Sequence, residues 1–117
     1  MRAGRRTTRI ADVVLDIAKL RDYCLSDRHP RGRHKARVIR SSLGLTANDA
    51  ELLGDLLVRA ARLHQQELIA TGCDSYGERF ILDVEVTTST GTATVRSGWI
   101  VRRGERTLRF VTCFVLQ

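Results

Sequence analysis

Apolar residues follow helical spacing through the first half of the chain. The spacing predicts three helices, over residues 17–25, 34–43 and 47–66. Asp16 is placed to cap the first helix, and Gly44 can end the second in a left-handed conformation. Thr46 and Asp49 resemble a capping box at the start of the third helix, which has the strongest amphipathic stripe. A short strand over residues 12–15 is predicted to precede these helices.

The pattern changes in the second half, where apolar and polar residues alternate with the period of a strand. Strands are predicted over residues 78–87, 92–101 and 108–116, joined by short turns that make them antiparallel. The second strand carries Trp99 on its apolar side and Arg96 on the other. The third strand is apolar on both sides, which favours a central position. Helices followed by strands indicate an α+β fold, with N-terminal helices packed on a C-terminal antiparallel β-sheet meander.

Length and composition fit one domain with a single core. The chain has 117 residues, of which 43% are hydrophobic and 28% are charged. Residues 1–10 are predicted to form a basic flexible arm, which leaves residues 11–117 as a single α+β domain. No apolar run is long enough to cross a membrane, and no apolar signal core follows the basic start. A cytoplasmic location is therefore expected.

The three cysteines, Cys24, Cys73 and Cys113, are widely spaced and form no CxxC pair. They have no histidine nearby at the spacing of a zinc site. The sequence therefore predicts three reduced thiols, with no disulfide, no metal and no cofactor.

The charge balance bears directly on function. The chain has 20 lysines and arginines against 13 aspartates and glutamates, which gives a net charge of +7. Nearly all of these cations are arginines, whose planar group binds phosphate through two parallel hydrogen bonds. RNA is the expected partner, and an acidic protein is the alternative that net charge leaves open.

One segment concentrates this charge. Residues 28–40 contain no acidic residue, and the second predicted helix begins within them. Their cations are Arg28, Arg31, Arg33, Lys35, Arg37 and Arg40, and their histidines are His29 and His34. Free N–H groups at a helix N-terminus bind phosphate, so anion binding is one interpretation. A solvated basic loop with incidental histidines is the other.

The same residue types suit RNA cleavage without a metal. That reaction needs a base for the 2′-hydroxyl, an acid for the leaving 5′-oxygen and cations that stabilise the charged phosphorane. The catalytic candidates are His29, His34, Lys35 and Arg37, joined by Arg96 and Thr112 from the strands. The candidates for binding flanking phosphates are Arg31, Arg33 and Arg40. As alternatives, Arg96 pairs with Asp83 or Glu85, and Thr112 is simply a strand-forming residue.

Several stretches resemble a family of small bacterial domains of unassigned function, which occur alone and at the C-terminal tips of polymorphic toxins. The matching stretches are residues 19–23, 29–38, 43–44, 76–77, 94–100 and 109–113. The block 29–38 is the specific one, and Ile39 after it stands where the family pattern usually has Phe. The helix-then-sheet order is also similar to the ribonuclease toxin superfamily that includes barnase, EndoU, colicin-type tRNases and ribosome-dependent mRNA interferases.

The resemblance implies a toxin of a bacterial toxin–antitoxin or related conflict system. The leading hypothesis is a metal-independent endoribonuclease that cleaves tRNA, mRNA or ribosome-associated RNA and so inhibits translation and growth. An acidic cognate antitoxin or immunity protein is the implied partner. The alternatives are a non-catalytic RNA- or ribosome-binding module and an antitoxin- or immunity-type interaction domain.

Overall fold

The computed structural model describes residues 10–26, 28–30 and 32–117. Nearly all of the predicted basic arm lies outside these residues, as do Asp27 and Arg31. Three helical segments lie N-terminal to most of a five-stranded mixed sheet, so the predicted α+β fold is confirmed. No helix in the described part of the chain is long and apolar enough to span a membrane.

The helices lie close to their predicted positions. The first helix, α1, starts as the α-helical turn Ile17–Lys19 and widens into the π-helical turn Leu20–Cys24. The second and third helices are α2 (Arg33–Leu43) and α3 (Ala50–Leu63). A 3-10 turn precedes α3 at Ala47–Asp49, and another follows it at Gln65–Glu67. Asp16 caps α1 by accepting a hydrogen bond from the Ala18 N–H at 3.0 Å. Gly44 ends α2 with a φ of 71°, a conformation that disfavours a side chain. The predicted capping box before α3 also forms.

The sheet contains the predicted meander and two further strands. The strands are β1 (Asp12–Val14), β2 (Ile69–Cys73), β3 (Gly77–Thr87), β4 (Thr92–Arg102) and β5 (Thr107–Val115), in the order β1-β5-β4-β3-β2. Successive strands from β3 to β5 are antiparallel, while β1 pairs with β5 in parallel and β2 pairs with β3 in antiparallel fashion. β5 therefore lies between two strands, as its apolar pattern predicts. The sequence pattern does not predict β2, because most of its residues are exposed and show no apolar alternation.

The helices cover one side of the sheet and bury its apolar residues. Trp99 and Phe80 are each 1% exposed and lie opposite each other on β4 and β3. Ser97 is buried beside them, where its hydroxyl donates to the Leu82 carbonyl at 2.7 Å and accepts from the Trp99 Nε1–H at 2.8 Å. The buried hydroxyl and indole thus satisfy each other within the core.

The other side of the sheet is called the open face below. It carries Asp83, Glu85, Thr94, Arg96 and Ile100, all of which are exposed or half-buried. These residues alternate with the buried ones along β3 and β4, so their side chains point away from the core. The open face therefore keeps charged side chains accessible.

Candidate nucleic-acid interface

A tight turn fixes the start of α2 against the end of α1. The Gly32 N–H donates to the Nδ1 atom of His29 at 3.3 Å, and the Arg33 N–H donates to the His29 carbonyl at 2.9 Å. The His29 ring packs on Tyr23, with 4.5 Å between the ring centroids. Gly32 lies so close to the Tyr23 carbonyl that any Cβ would collide with its oxygen. The shape of the turn therefore depends on His29 and Gly32.

This turn selects one tautomer of His29. The Gly32 N–H is shared between the His29 carbonyl oxygen at 3.2 Å and the Nδ1 atom at 3.3 Å, which favours the neutral ring that carries its proton on Nε2. In that state the Nε2–H donates a hydrogen bond and has no lone pair with which to abstract a proton. In this conformation His29 therefore positions the start of α2.

α2 distributes its cations over two flanks. The residues of α2 that face the core are Ala36, Ile39 and Leu43. At about 100° per residue, Arg33, Arg37 and Arg40 lie within roughly 60° of one another on one flank, and they are called the arginine stripe below. Lys35 lies on the opposite flank. His34 points away from the buried side and is exposed.

Two residues of the arginine stripe, Arg33 and Arg37, differ from several arginines of the sheet because no described acidic residue pairs with them. The sheet ion pairs are Arg79 with Asp74, Arg96 with Asp83, and Arg109 with Glu105. Arg33 and Arg37 are exposed and form no ion pair with any carboxylate that the structure describes. Residues 28–48 contain no aspartate or glutamate. Uncompensated positive charge of this kind attracts polyanions.

Lys35 faces the end of β5. Its Nζ atom is 5.1 Å from the centre of the Phe114 ring, which is a cation–π contact. Phe114 pairs with Arg96 across β5 and β4, so both residues lie on the same side of the sheet. Lys35 and Arg96 are thus both neighbours of Phe114.

Arg96 is already bound to an acidic residue. Its guanidinium makes two hydrogen bonds to the Asp83 carboxylate, at 2.8 and 3.0 Å. These bonds lower the pKa of Asp83 and raise the pKa of Arg96. The pairing with Asp83 is one of the alternatives that the sequence analysis leaves open for Arg96. A phosphate at this position has to share the guanidinium with Asp83.

A pair of buried thiols lies next to Thr112. The Sγ atom of Cys24, at the end of α1, is 3.7 Å from the Thr112 hydroxyl oxygen. A hydrogen bond from the Cys113 thiol lowers the pKa of Cys24 to about 6 against the opposing effect of burial, and Lys35 contributes a smaller lowering. The pKa of Cys113 is raised, because its thiol proton bonds to Cys24 and because the group is buried. Cys24 is a neighbour of the candidate site that the sequence does not indicate, because no local pattern links it to a residue 88 positions away.

Six of the predicted site residues therefore lie on two surfaces. Those around the end of β5 are Lys35, Thr112 and Arg96, and those on the other flank of α2 are Arg33, Arg37 and Arg40. His29 lies in the turn before α2, His34 is exposed on its first turn, and Arg31 lies outside the described residues. Arg40 also borders a cavity of about 80 Å³ between α2 and the 3-10 turn before α3. In residues 10–26, 28–30 and 32–117, no three His, Cys, Asp or Glu side chains are placed to hold a metal ion.

Comparison with known proteins identifies the family of the chain. No curated protein and no solved structure matches the chain. A family model described as a domain of unknown function, DUF6883, matches residues 6–117. Because this match spans nearly the whole sequence, the chain belongs to the DUF6883 family, a domain of unknown function.

Proposed function

We propose that the protein binds RNA and that the arginine stripe of α2 contacts its phosphate backbone. The observation that supports this most strongly is the acid-free surface of α2, where Arg33 and Arg37 have no carboxylate partner among the described residues. A phosphate group supplies the missing negative charge and accepts two hydrogen bonds from each guanidinium. The stripe spans about 10 Å along the helix at 1.5 Å per residue, which is long enough to contact consecutive phosphates.

Contacts of this kind predict weak sequence preference. Phosphate contacts position a nucleic acid but do not read its bases. Base stacking needs accessible aromatic rings, and aromatic residues make up 5% of the chain. Trp99 is buried in the core, and the Phe114 ring lies beneath the Lys35 ammonium group. Tyr76 is exposed, but it lies beside the turn between β4 and β5 rather than on α2. We therefore expect affinity to depend on salt far more than on RNA sequence.

The test compares two double substitutions that remove the same charge. Arg33→Gln/Arg37→Gln removes two cations of the arginine stripe. Arg103→Gln/Arg106→Gln removes two exposed cations from the turn between β4 and β5, where the acidic Glu105 lies between them. Binding of a fluorescein-labelled single-stranded RNA is followed by anisotropy between about 50 and 200 mM salt.

Each lost phosphate contact lowers the slope of log affinity against log salt by about 0.7 for single strands. We therefore expect the slope of the stripe variant to fall by about 1.4, and the slope of the matched control to stay near that of the wild type. Equal slopes in the two variants would show that RNA senses total charge rather than the α2 surface, and this result would refute the proposal.

RNA cleavage is the second candidate, and the position of His34 favours it. His34 is exposed on the first turn of α2, between Arg33 and Lys35. Acting as a base, His34 takes the proton of a 2′-hydroxyl, whose oxygen attacks the phosphorus. The 5′-oxygen then leaves with a proton from solvent. Arg33 and Arg37 of the arginine stripe stabilise the negative charge that develops on the phosphate.

In this second candidate the protein is a metal-independent ribonuclease toxin. Its expression inhibits growth of a bacterial host, and an acidic antitoxin that covers the cations of α2 relieves the inhibition. Cleavage is measured by incubating RNA with the protein in EDTA and detecting a 2′,3′-cyclic phosphate end.

His34→Gln is expected to abolish cutting while RNA affinity is retained. His29→Asn is the control, because the Asn side chain keeps an acceptor near the Gly32 N–H while the imidazole is removed. Absence of a cyclic phosphate with the wild-type protein, or full cutting by His34→Gln, would contradict the cleavage mechanism. RNA binding by the arginine stripe would then stand alone.

A further inference from the structure

One half of β3 has a free edge. β2 pairs with β3 from Glu78 to Ile81, whereas β4 pairs with β3 up to Thr87. In the sheet order β3 lies between β2 and β4. Residues 82–87 consequently have β4 on one side and, within the part of the chain that the structure describes, no strand on the other. An edge of this kind presents its N–H and C=O groups to a further strand.

The register fixes which backbone groups face this edge. Just after β3, the Thr88 N–H donates to the Gly91 carbonyl. Just before β3, the Tyr76 carbonyl accepts a hydrogen bond from the Arg103 N–H. Hydrogen-bonded positions alternate along a regular antiparallel pair, so the even-numbered residues of β3 bond to β4. The edge residues that direct their N–H and C=O groups outward are therefore Asp83, Glu85 and Thr87.

An apolar groove runs beside the free edge, between β3 and α3. Leu56, Ala60 and Leu63 of α3 line a cavity of about 250 Å³ together with Val84 and Val86 of β3. Leu63 is 71% exposed and Leu56 is 36% exposed, so the groove has an uncovered apolar wall. A strand added to the edge would lie under α3 and would place every second side chain in this groove.

Charges on the two sides of the edge specify the chemistry of such a strand. Glu85 is exposed on the open face and forms no ion pair with any described cation, whereas Asp83 is already paired with Arg96. Arg59 of α3 lines the groove on the opposite side. His64 and Glu67 border the edge near Leu82 and pair with each other at 2.8 Å, so they add little net charge there. A neighbouring strand therefore binds more tightly if it places a basic residue on the open face, beside Glu85. On the side that faces Arg59, aliphatic residues strengthen the binding of this strand and basic residues weaken it.

A second copy of the chain fits this edge poorly. In such a dimer the two β3 edges would pair in antiparallel fashion, with both α3 helices on the same side of the joined sheet. The residue at the centre of the paired segment would then be Asp83, Val84 or Glu85. Each of these registers places a carboxylate of one copy opposite a carboxylate of the other, because Asp83 and Glu85 are the open-face residues of this segment. Like charges in directly opposite positions destabilise a sheet.

We propose that residues 82–87 bind an extended segment of another protein by strand addition, and that this segment alternates basic residues on the open face with aliphatic residues in the groove. The outward N–H and C=O groups of Asp83, Glu85 and Thr87 supply the main-chain hydrogen bonds. The leucines of α3 and the carboxylate of Glu85 select the alternating side chains. This interaction does not depend on RNA binding.

The probe is a blocked, fluorescein-labelled peptide of about seven residues that alternates valine and lysine. A peptide that alternates valine and glutamate is its matched control. The net charge of +7 attracts the glutamate peptide and repels the lysine peptide, so general electrostatics predicts the opposite preference. We expect the lysine peptide to bind roughly tenfold more tightly by anisotropy, and Glu85→Lys to reverse this order.

Amide hydrogen exchange locates the bound peptide. Strand addition slows exchange of the Asp83, Glu85 and Thr87 amides, while the amides that already bond to β4 change little. N-methylation of alternate peptide residues removes the donors and abolishes this protection. The proposal is overturned if the glutamate peptide binds as well as the lysine peptide, if N-methylation has no effect, or if neither peptide binds. Protection of the same amides without peptide, together with a dimer by sedimentation, would assign the edge to a second copy and would also overturn it.

Discussion

Replacing Ser97 by alanine should destabilise the fold by far more than the loss of one oxygen atom suggests. Ser97 is fully buried, and its hydroxyl links the Leu82 carbonyl at 2.7 Å to the Trp99 Nε1–H at 2.8 Å. The Leu82 carbonyl keeps a ladder bond to β4 in the variant, because Leu82 and Ser97 lie opposite each other at a hydrogen-bonded position. The indole N–H is left buried without its acceptor, which costs about 1–3 kcal/mol. With the lost bond to Leu82, we expect the free energy of unfolding to fall by about 2–4 kcal/mol.

A double-mutant cycle isolates the contribution of the indole. Trp99→Phe removes the donor, so Ser97→Ala in that background loses mainly the bond to Leu82, about 1 kcal/mol. Urea unfolding followed by circular dichroism at equal protein concentration gives the four free energies of unfolding. The expected coupling energy between Ser97 and Trp99 is about 1–3 kcal/mol. A coupling energy below about 0.5 kcal/mol would mean that the buried hydrogen bond does not stabilise the core, and the reasoning would be wrong.

Two further predictions concern the open face and the turn before α2. Arg96 lowers the pKa of Asp83 in the folded protein, so ionised Asp83 stabilises the fold. This stabilisation is fully present above the unfolded-state pKa of about 3.9, and it is lost as the pH falls through the lower folded-state pKa. Asp83→Asn should lower the melting temperature at neutral pH and lessen its fall in acid, and identical acid profiles of the two proteins would contradict this. Gly32→Ala places a Cβ against the Tyr23 carbonyl and should cost about 1–3 kcal/mol in urea unfolding. Gly72→Ala, with no atom near its added Cβ, should cost less than about 1 kcal/mol, and equal costs would count against the packing of the turn.

The fold was predictable where its signals are local. Asp16 and Gly44 mark helix ends by their own conformational preferences, and the alternation along β3 and β4 reveals which residues face the core. The residues of β2 are mostly exposed and lack that alternation, so pairing with β3 rather than sequence pattern makes them a strand. The parallel pairing of β1 with β5 joins the two ends of the domain, and no local pattern encodes it.

The same distinction applies to the candidate site. The cationic character of α2 follows from its sequence, and helical geometry then separates Lys35 from the arginine stripe. The Arg96–Asp83 pair was foreseeable as an alternative, because the two residues face each other across adjacent strands. By contrast, the contacts of Lys35 with Phe114 and of Cys24 with Thr112 arise from the packing of α1 and α2 beside β5. Such tertiary contacts leave no trace in spacing or composition.

The most direct test of RNA binding by α2 is a titration of the protein with a short single-stranded RNA, followed through the backbone amide shifts. We expect the largest saturable shift changes at the arginine stripe and at the turn that contains Gly32, and small changes at the turn between β4 and β5. Changes that are largest at that β-turn, or an absence of change along α2 at saturating RNA, would contradict the central claim that the arginine stripe of this helix holds the phosphate backbone.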